Sequence, residues 1–90
     1  AQIEELILEL PYINEAAAIG VSQHDGGPSR LVICYVGIET KQALTDMQKL
    51  IKSKLNPLFK VNECYYLEKL PRTASNKVMR RKLRENYQYE

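Results

Sequence analysis

The first ten residues, AQIEELILEL, carry Ile3, Leu6, Ile7 and Leu10 at i, i+3, i+4 and i+7, the spacing of a helix with one apolar face. Pro11 lacks an amide hydrogen and is expected to end that helix. EAAAIGV (15–21) is short and apolar between polar residues and predicts a strand. SQHDGGPSR is turn chemistry throughout, with Gly26, Gly27 and Pro28 at its centre. LVICYVGI (31–38) is β-branched and aromatic and does not alternate with polar residues. It predicts a strand buried on both faces, paired with the first as a hairpin. A second helix is expected from about Thr45, where Thr45 and Gln48 fit a capping box; Met47, Leu50, Ile51 and Leu55 form its stripe, and Asn56 and Pro57 stop it. VNECYYL (61–67) predicts a third strand and Pro71 to Asn76 a loop. Ser75 or Asn76 is expected to cap a last helix whose buried side is Met79, Leu83 and Tyr87.

The order helix, strand, strand, helix, strand, loop, helix predicts an α+β fold, a small three-stranded sheet with helices packed on it. Ninety residues make one domain, 1–90, without internal repeats. A composition 44% hydrophobic and 27% charged is that of a folded chain. No apolar run approaches the roughly 18–20 residues of a membrane span, and no basic-then-apolar leader opens the chain, so a cytoplasmic setting is expected. The chain starts at Ala1 instead of Met, and it is expected to be part of something longer. Cys34 and Cys64 stand in separate apolar segments and read as buried, reduced thiols; a disulfide is open to them but nothing requires one. His24 is the single histidine, and no metal-ligand spacing exists.

Charge changes the picture. Residues 69–84 hold Lys69, Arg72, Lys77, Arg80, Arg81, Lys82 and Arg84 with no acid, seven of the thirteen cations in a chain of net charge +2. A basic tail on an acidic body points to an anionic partner. Within it, Lys77 follows the small polar residues Thr73, Ala74, Ser75 and Asn76. These offer no core anchor, so Lys77 reads either as a solvated surface lysine or as a flexible charge that reaches outward.

The order of residues favours the second reading. LPRTASNKVMRRKLR resembles the last core motif of adenylate-forming enzymes, P-x-T-x-S-G-K-x-x-R-x-x-L-R, with Pro71, Thr73, Ser75, Lys77, Arg80, Leu83 and Arg84 matching position for position. That superfamily includes acyl-CoA synthetases, the adenylation domains of peptide synthetases and luciferases. IEELILELPYINEAAAIGV resembles the helix-then-strand opening of its small C-terminal domain, so the likeness covers essentially the whole chain. Asn76 stands where the family has glycine and Asn62 where a proline is common; HDGGPSR replaces the usual Pro-Asp and Gly-Glu pairs.

The resemblance implies the C-terminal lid of an AMP-forming acid–thiol ligase, most like an AMP-dependent acyl-CoA synthetase. A large N-terminal domain would bind ATP, Mg2+ and the carboxylic acid, and the thiol would be coenzyme A. Lys77 would be the catalytic residue, assisting adenylation. Pro71, Thr73, Ser75 and Asn76 would shape its loop, and Arg72, Arg80 and Arg84 would serve docking or anion contact. A carrier-protein thiol is the nearest variant. The rival from the basic run alone is a module that binds nucleic acid or another polyanion through residues 69–84. It predicts steep salt dependence and indifference to Lys77 in particular. A third reading is an interaction domain without chemistry. Tyr65, Tyr66, Tyr87 and Tyr89 are expected in core and rim instead of forming a base-stacking platform.

Overall fold

A computed structural model describes residues 2–21, 30–55 and 60–86 of the ninety. Its elements are α1 (Gln2–Ile7), β1 (Ile13–Val21), β2 (Arg30–Gly37), α2 (Ala43–Lys54), β3 (Glu63–Tyr66) and α3 (Arg80–Asn86). The strands form one sheet in the order β1-β2-β3. β1 and β2 pair antiparallel, as a hairpin requires, and β3 joins the other side of β2 in parallel. The expected α+β fold with a three-stranded sheet is the one observed. The turn segment at 22–29, with His24, lies outside the described residues, as do Asn56, Pro57, Tyr87 and Tyr89.

β2 is buried on both faces, as its unbroken apolar run predicts. Val32 to Tyr35 are four consecutive buried residues, and their side chains feed two cores. Ile33 and Tyr35 join Ile7, Ile13, Ala43, Met47, Ile51 and Val61, which places α1 and α2 on one face. Val32 and Cys34 join Ala17, Ile19, Val21, Leu70 and Leu83, which places α3 and the segment after β3 on the other. The two cysteines are free, with Cys34 in the second core and Cys64 packed against the first. Burial, and then the neighbouring Cys64, push the Cys34 thiol up to about 11, so it stays protonated at neutral pH.

β1 changes its parity along its length. Ile13 packs with the first core, yet so do Ala16 and Ala18, while Ala17 and Ile19 face the second. A register shift between Ile13 and Glu15 accounts for this: one extra residue flips every side chain after it. Glu15 thereby joins the face of Ala17, on the side of the segment after β3.

Several boundaries differ from the expectation. α1 stops at Ile7; Glu9 and Leu10 donate to the carbonyls of Leu6 and Ile7 at 3.0 and 3.1 Å, so the helix tightens into turns before Pro11. Leu10 still packs on the core from that turn. The capping box at Thr45 does not form. α2 begins at Ala43 behind Gln42, which makes no side-chain cap, and the Gln48 amide donates instead to Val61 O at 2.8 Å. A long-range acceptor outcompetes the local one there. β3 is shorter than 61–67, although Asn62 extends the sheet: its amide donates to Leu31 O and its Oδ1 accepts from Leu31 N, each at 2.9 Å. Proline at this position would lack the first of these bonds.

The last helix starts at Arg80, so neither Ser75 nor Asn76 caps it. Met79 is 37% exposed and Leu83 is 6% exposed. The residue expected beside Leu83 in the buried face is therefore at the surface, and Val78 packs against the second core in its place. Met79 lies one residue before the helix, where 3.6 periodicity no longer governs direction.

Candidate functional site

The segment from Pro71 to Met79 is a small closed loop. Arg72 and Val78 form an isolated antiparallel bridge across its neck. Met79 N donates to Pro71 O at 2.8 Å and Thr73 N to Lys77 O at 2.8 Å. At the tip, Asn76 N donates to Thr73 O at 2.9 Å and Lys77 N to Thr73 Oγ1 at 3.2 Å, while Thr73 Oγ1 and Ser75 Oγ lie 3.0 Å apart. Thr73 and Ser75 thus shape the loop through their hydroxyls. Asn76 has φ 67, the left-handed turn that glycine takes without strain and that asparagine tolerates better than most residues.

This loop holds Lys77 out. The residue is exposed, and among the described residues its ammonium has no partner. The guanidinium groups around it are engaged within the domain. Arg72 pairs with Glu15 on β1 and donates through Nη1 to Asn76 O at 3.0 Å. Arg80 Nη2 donates to both carboxylate oxygens of Glu4, at 2.7 and 2.6 Å. Arg84 Nε donates to Gly20 O at 3.3 Å, and Arg81 pairs with Glu85 on its own helix. Four of the seven cations in 69–84 are therefore occupied, and Lys77 stands apart from them.

Glu4 was not evident as a site-supporting residue from the sequence; its one signal is a place three residues before Ile7, beside the apolar stripe. It is 8% exposed, and besides Arg80 it accepts Ala18 N at 2.7 Å. β1 is an edge strand, and Glu4 and Arg84 each satisfy one of its backbone groups, so the edge is covered instead of open. Burial alone would raise the Glu4 carboxyl, but the Ala18 N–H and the Arg80 guanidinium outweigh it and hold it below its ordinary value of 4.5. A depressed folded-state pKa gives stability that is complete above 4.5 and is lost as pH falls through the folded value. Acid titration of unfolding stability is expected to show this loss below about pH 4.5, and Glu4→Gln to flatten the slope there. An unchanged slope in Glu4→Gln would assign the acid loss to other carboxylates.

Among the described residues no cluster of three His, Cys, Asp or Glu side chains would hold a metal ion, and no helix is long and apolar enough to cross a membrane.

Comparison with known proteins agrees with this architecture. Hexanoyl-CoA synthase of Cannabis sativa is 43% identical over 82 residues, covering 83% of this chain and 11% of that protein. Probable acyl-activating enzyme 17, peroxisomal, of Arabidopsis thaliana is 50% identical over 78 residues, covering 79% of this chain and 11% of that protein. The chain therefore spans about a ninth of the length of either relative. Among solved structures, an acyl-CoA synthetase from Brucella canis superposes with a TM-score of 0.81 at 23% identity, over 92% of this chain and 16% of that one. Apo MatB from Rhodopseudomonas palustris superposes with a TM-score of 0.81 at 25% identity, over 96% and 17%. The family model described as the AMP-binding enzyme C-terminal domain matches residues 2–77, from the first residue of α1 to Lys77 itself, and the chain belongs to that family.

Proposed function

We propose that this chain is the mobile C-terminal domain of an AMP-forming acid–thiol ligase, and that Lys77 assists formation of the acyl-adenylate. The observation that carries the reading is an unpartnered, exposed lysine on a self-closed loop, while the arginines around it are tied down. In the first half-reaction a carboxylate attacks the α-phosphorus of ATP, expelling pyrophosphate. Both reactants are anions, and bringing them together in a desolvated site is costly. An ammonium aimed between the carboxylate and the α-phosphate offsets that repulsion and aligns the attack.

ATP, Mg2+ and the acid would be held by a larger N-terminal domain outside this chain. Coenzyme A is the favoured acceptor because a relative 43% identical to this chain is a hexanoyl-CoA synthase. A lysine permanently seated at the reacting atoms would obstruct the thiol, so the reading includes rotation of the domain between the two half-reactions. Isothermal titration of the ninety-residue chain with ATP is then expected to show only weak, salt-sensitive contact. Tight, saturable binding would overturn the placing of the nucleotide site elsewhere. The decisive experiment is to separate the two half-reactions in the whole enzyme carrying Lys77→Ala. A polyanion-binding module would instead bind with steep salt dependence and ignore that substitution.

A further inference from the structure

The hydrogen bonds inside the loop set its shape, but they do not set its direction relative to the sheet. Thr73 N to Lys77 O, Asn76 N to Thr73 O, Lys77 N to Thr73 Oγ1 and Met79 N to Pro71 O all begin and end between residues 71 and 79. Among the described residues, one polar contact leaves this segment for the sheet: Arg72 Nη2 to Glu15 Oε1. The same guanidinium turns its Nη1 to Asn76 O, the carbonyl directly before Lys77. Arg72 is thus a strut between β1 and the peptide that carries Lys77. Glu15 reaches it because the register shift after Ile13 turns its side chain to this face. Val78 supports the loop from beneath, in the second core, but an apolar contact fixes separation better than rotation.

We propose that Glu15 is a positioning residue for Lys77, acting through Arg72. The Arg72–Glu15 pair has side chains about one-third exposed, at 32% and 37%, so its loss leaves the fold intact and loosens the loop. A planar guanidinium with two fixed partners orients the loop in a way that a single point charge would not. The catalytic consequence rests on the reading of Lys77 given above; the anchoring of the loop does not.

The test uses the whole enzyme with Glu15→Ala, Arg72→Ala and the double variant. Hydrogen exchange of peptides spanning 72–79 is expected to rise about threefold to tenfold in Glu15→Ala, with exchange in α2 unchanged. Because Glu15 acts through Arg72, adding Glu15→Ala to Arg72→Ala is expected to change nothing further. Adenylation is expected to fall about tenfold in Glu15→Ala, with thioester formation from preformed acyl-adenylate retained. Unchanged exchange in 72–79, or additive effects of the two substitutions, overturns the proposal. So does faster exchange with full adenylation in an enzyme that Lys77→Ala cripples. If Lys77→Ala itself leaves adenylation intact while Glu15→Ala still raises exchange, the reading of Lys77 fails and the anchoring of the loop by Glu15 stands.

Discussion

Replacing Lys77 by alanine in the whole enzyme is expected to lower acyl-adenylate formation by about 10²–10³, equivalent to about 3–4 kcal/mol, the scale of a lost oxyanion donor. Thioester formation from preformed acyl-adenylate is expected to proceed at close to the unsubstituted rate. The asymmetry follows from charge. Two anions meet only in the first half-reaction, and only there does an ammonium relieve their repulsion. The second half-reaction attacks a carbonyl already activated by its AMP leaving group. Folding is expected to be untouched, because Lys77 is exposed and its ammonium has no partner among the described residues. Pyrophosphate exchange measures the first step, and single turnover of synthetic acyl-adenylate with thiol measures the second. Equal loss in both steps would assign Lys77 to domain docking, and full adenylation would remove it from the mechanism. Lys77→Arg keeps the charge but replaces a compact ammonium with a broad fork, and recovery of the first step is expected to be partial.

Gly37→Ala is expected to destabilise the chain by roughly 2–6 kcal/mol, combining positive-φ backbone strain with overpacking, each about 1–3 kcal/mol. Gly37 closes β2 with φ 151, a conformation that side-chain-bearing residues rarely adopt. A Cβ there would lie 2.0 Å from Tyr12 O, a backbone atom that accepts Ile38 N at 2.9 Å and cannot swing aside. Against a total stability of about 5–13 kcal/mol for ninety residues, the loss would be a large fraction. Gly20→Ala is the control: nothing lies within 4 Å of the Cβ it would add, and an effect within about 0.5 kcal/mol is expected. Denaturant unfolding of the two variants checks both values. Equal midpoints would show that the approach of Tyr12 to Gly37 relaxes at little cost.

Apolar runs and helical spacing were enough to place each described element, because the type of an element is set largely by local pattern. The unbroken run in β2 announced its burial on both faces, and the spacing of Pro71, Thr73, Ser75 and Lys77 announced the loop and its lysine. Asn76, standing where the family has glycine, adopts the left-handed turn at φ 67. What tertiary structure alone decided were choices between competing partners. Gln48 left its local cap for Val61 O, and Met79 yielded the core to Val78 because the helix begins one residue later. The carboxylates that engage Arg72 and Arg80 lie far away along the chain, Glu15 fifty-seven residues from Arg72 and Glu4 seventy-six from Arg80. Such pairings carry no sequence period, since they arise from the register of β1 and the packing of α1 and α3 at its edge. The sequence by itself determined that Lys77 would sit on a bare loop; only the fold determined that its neighbouring arginines would be tied down.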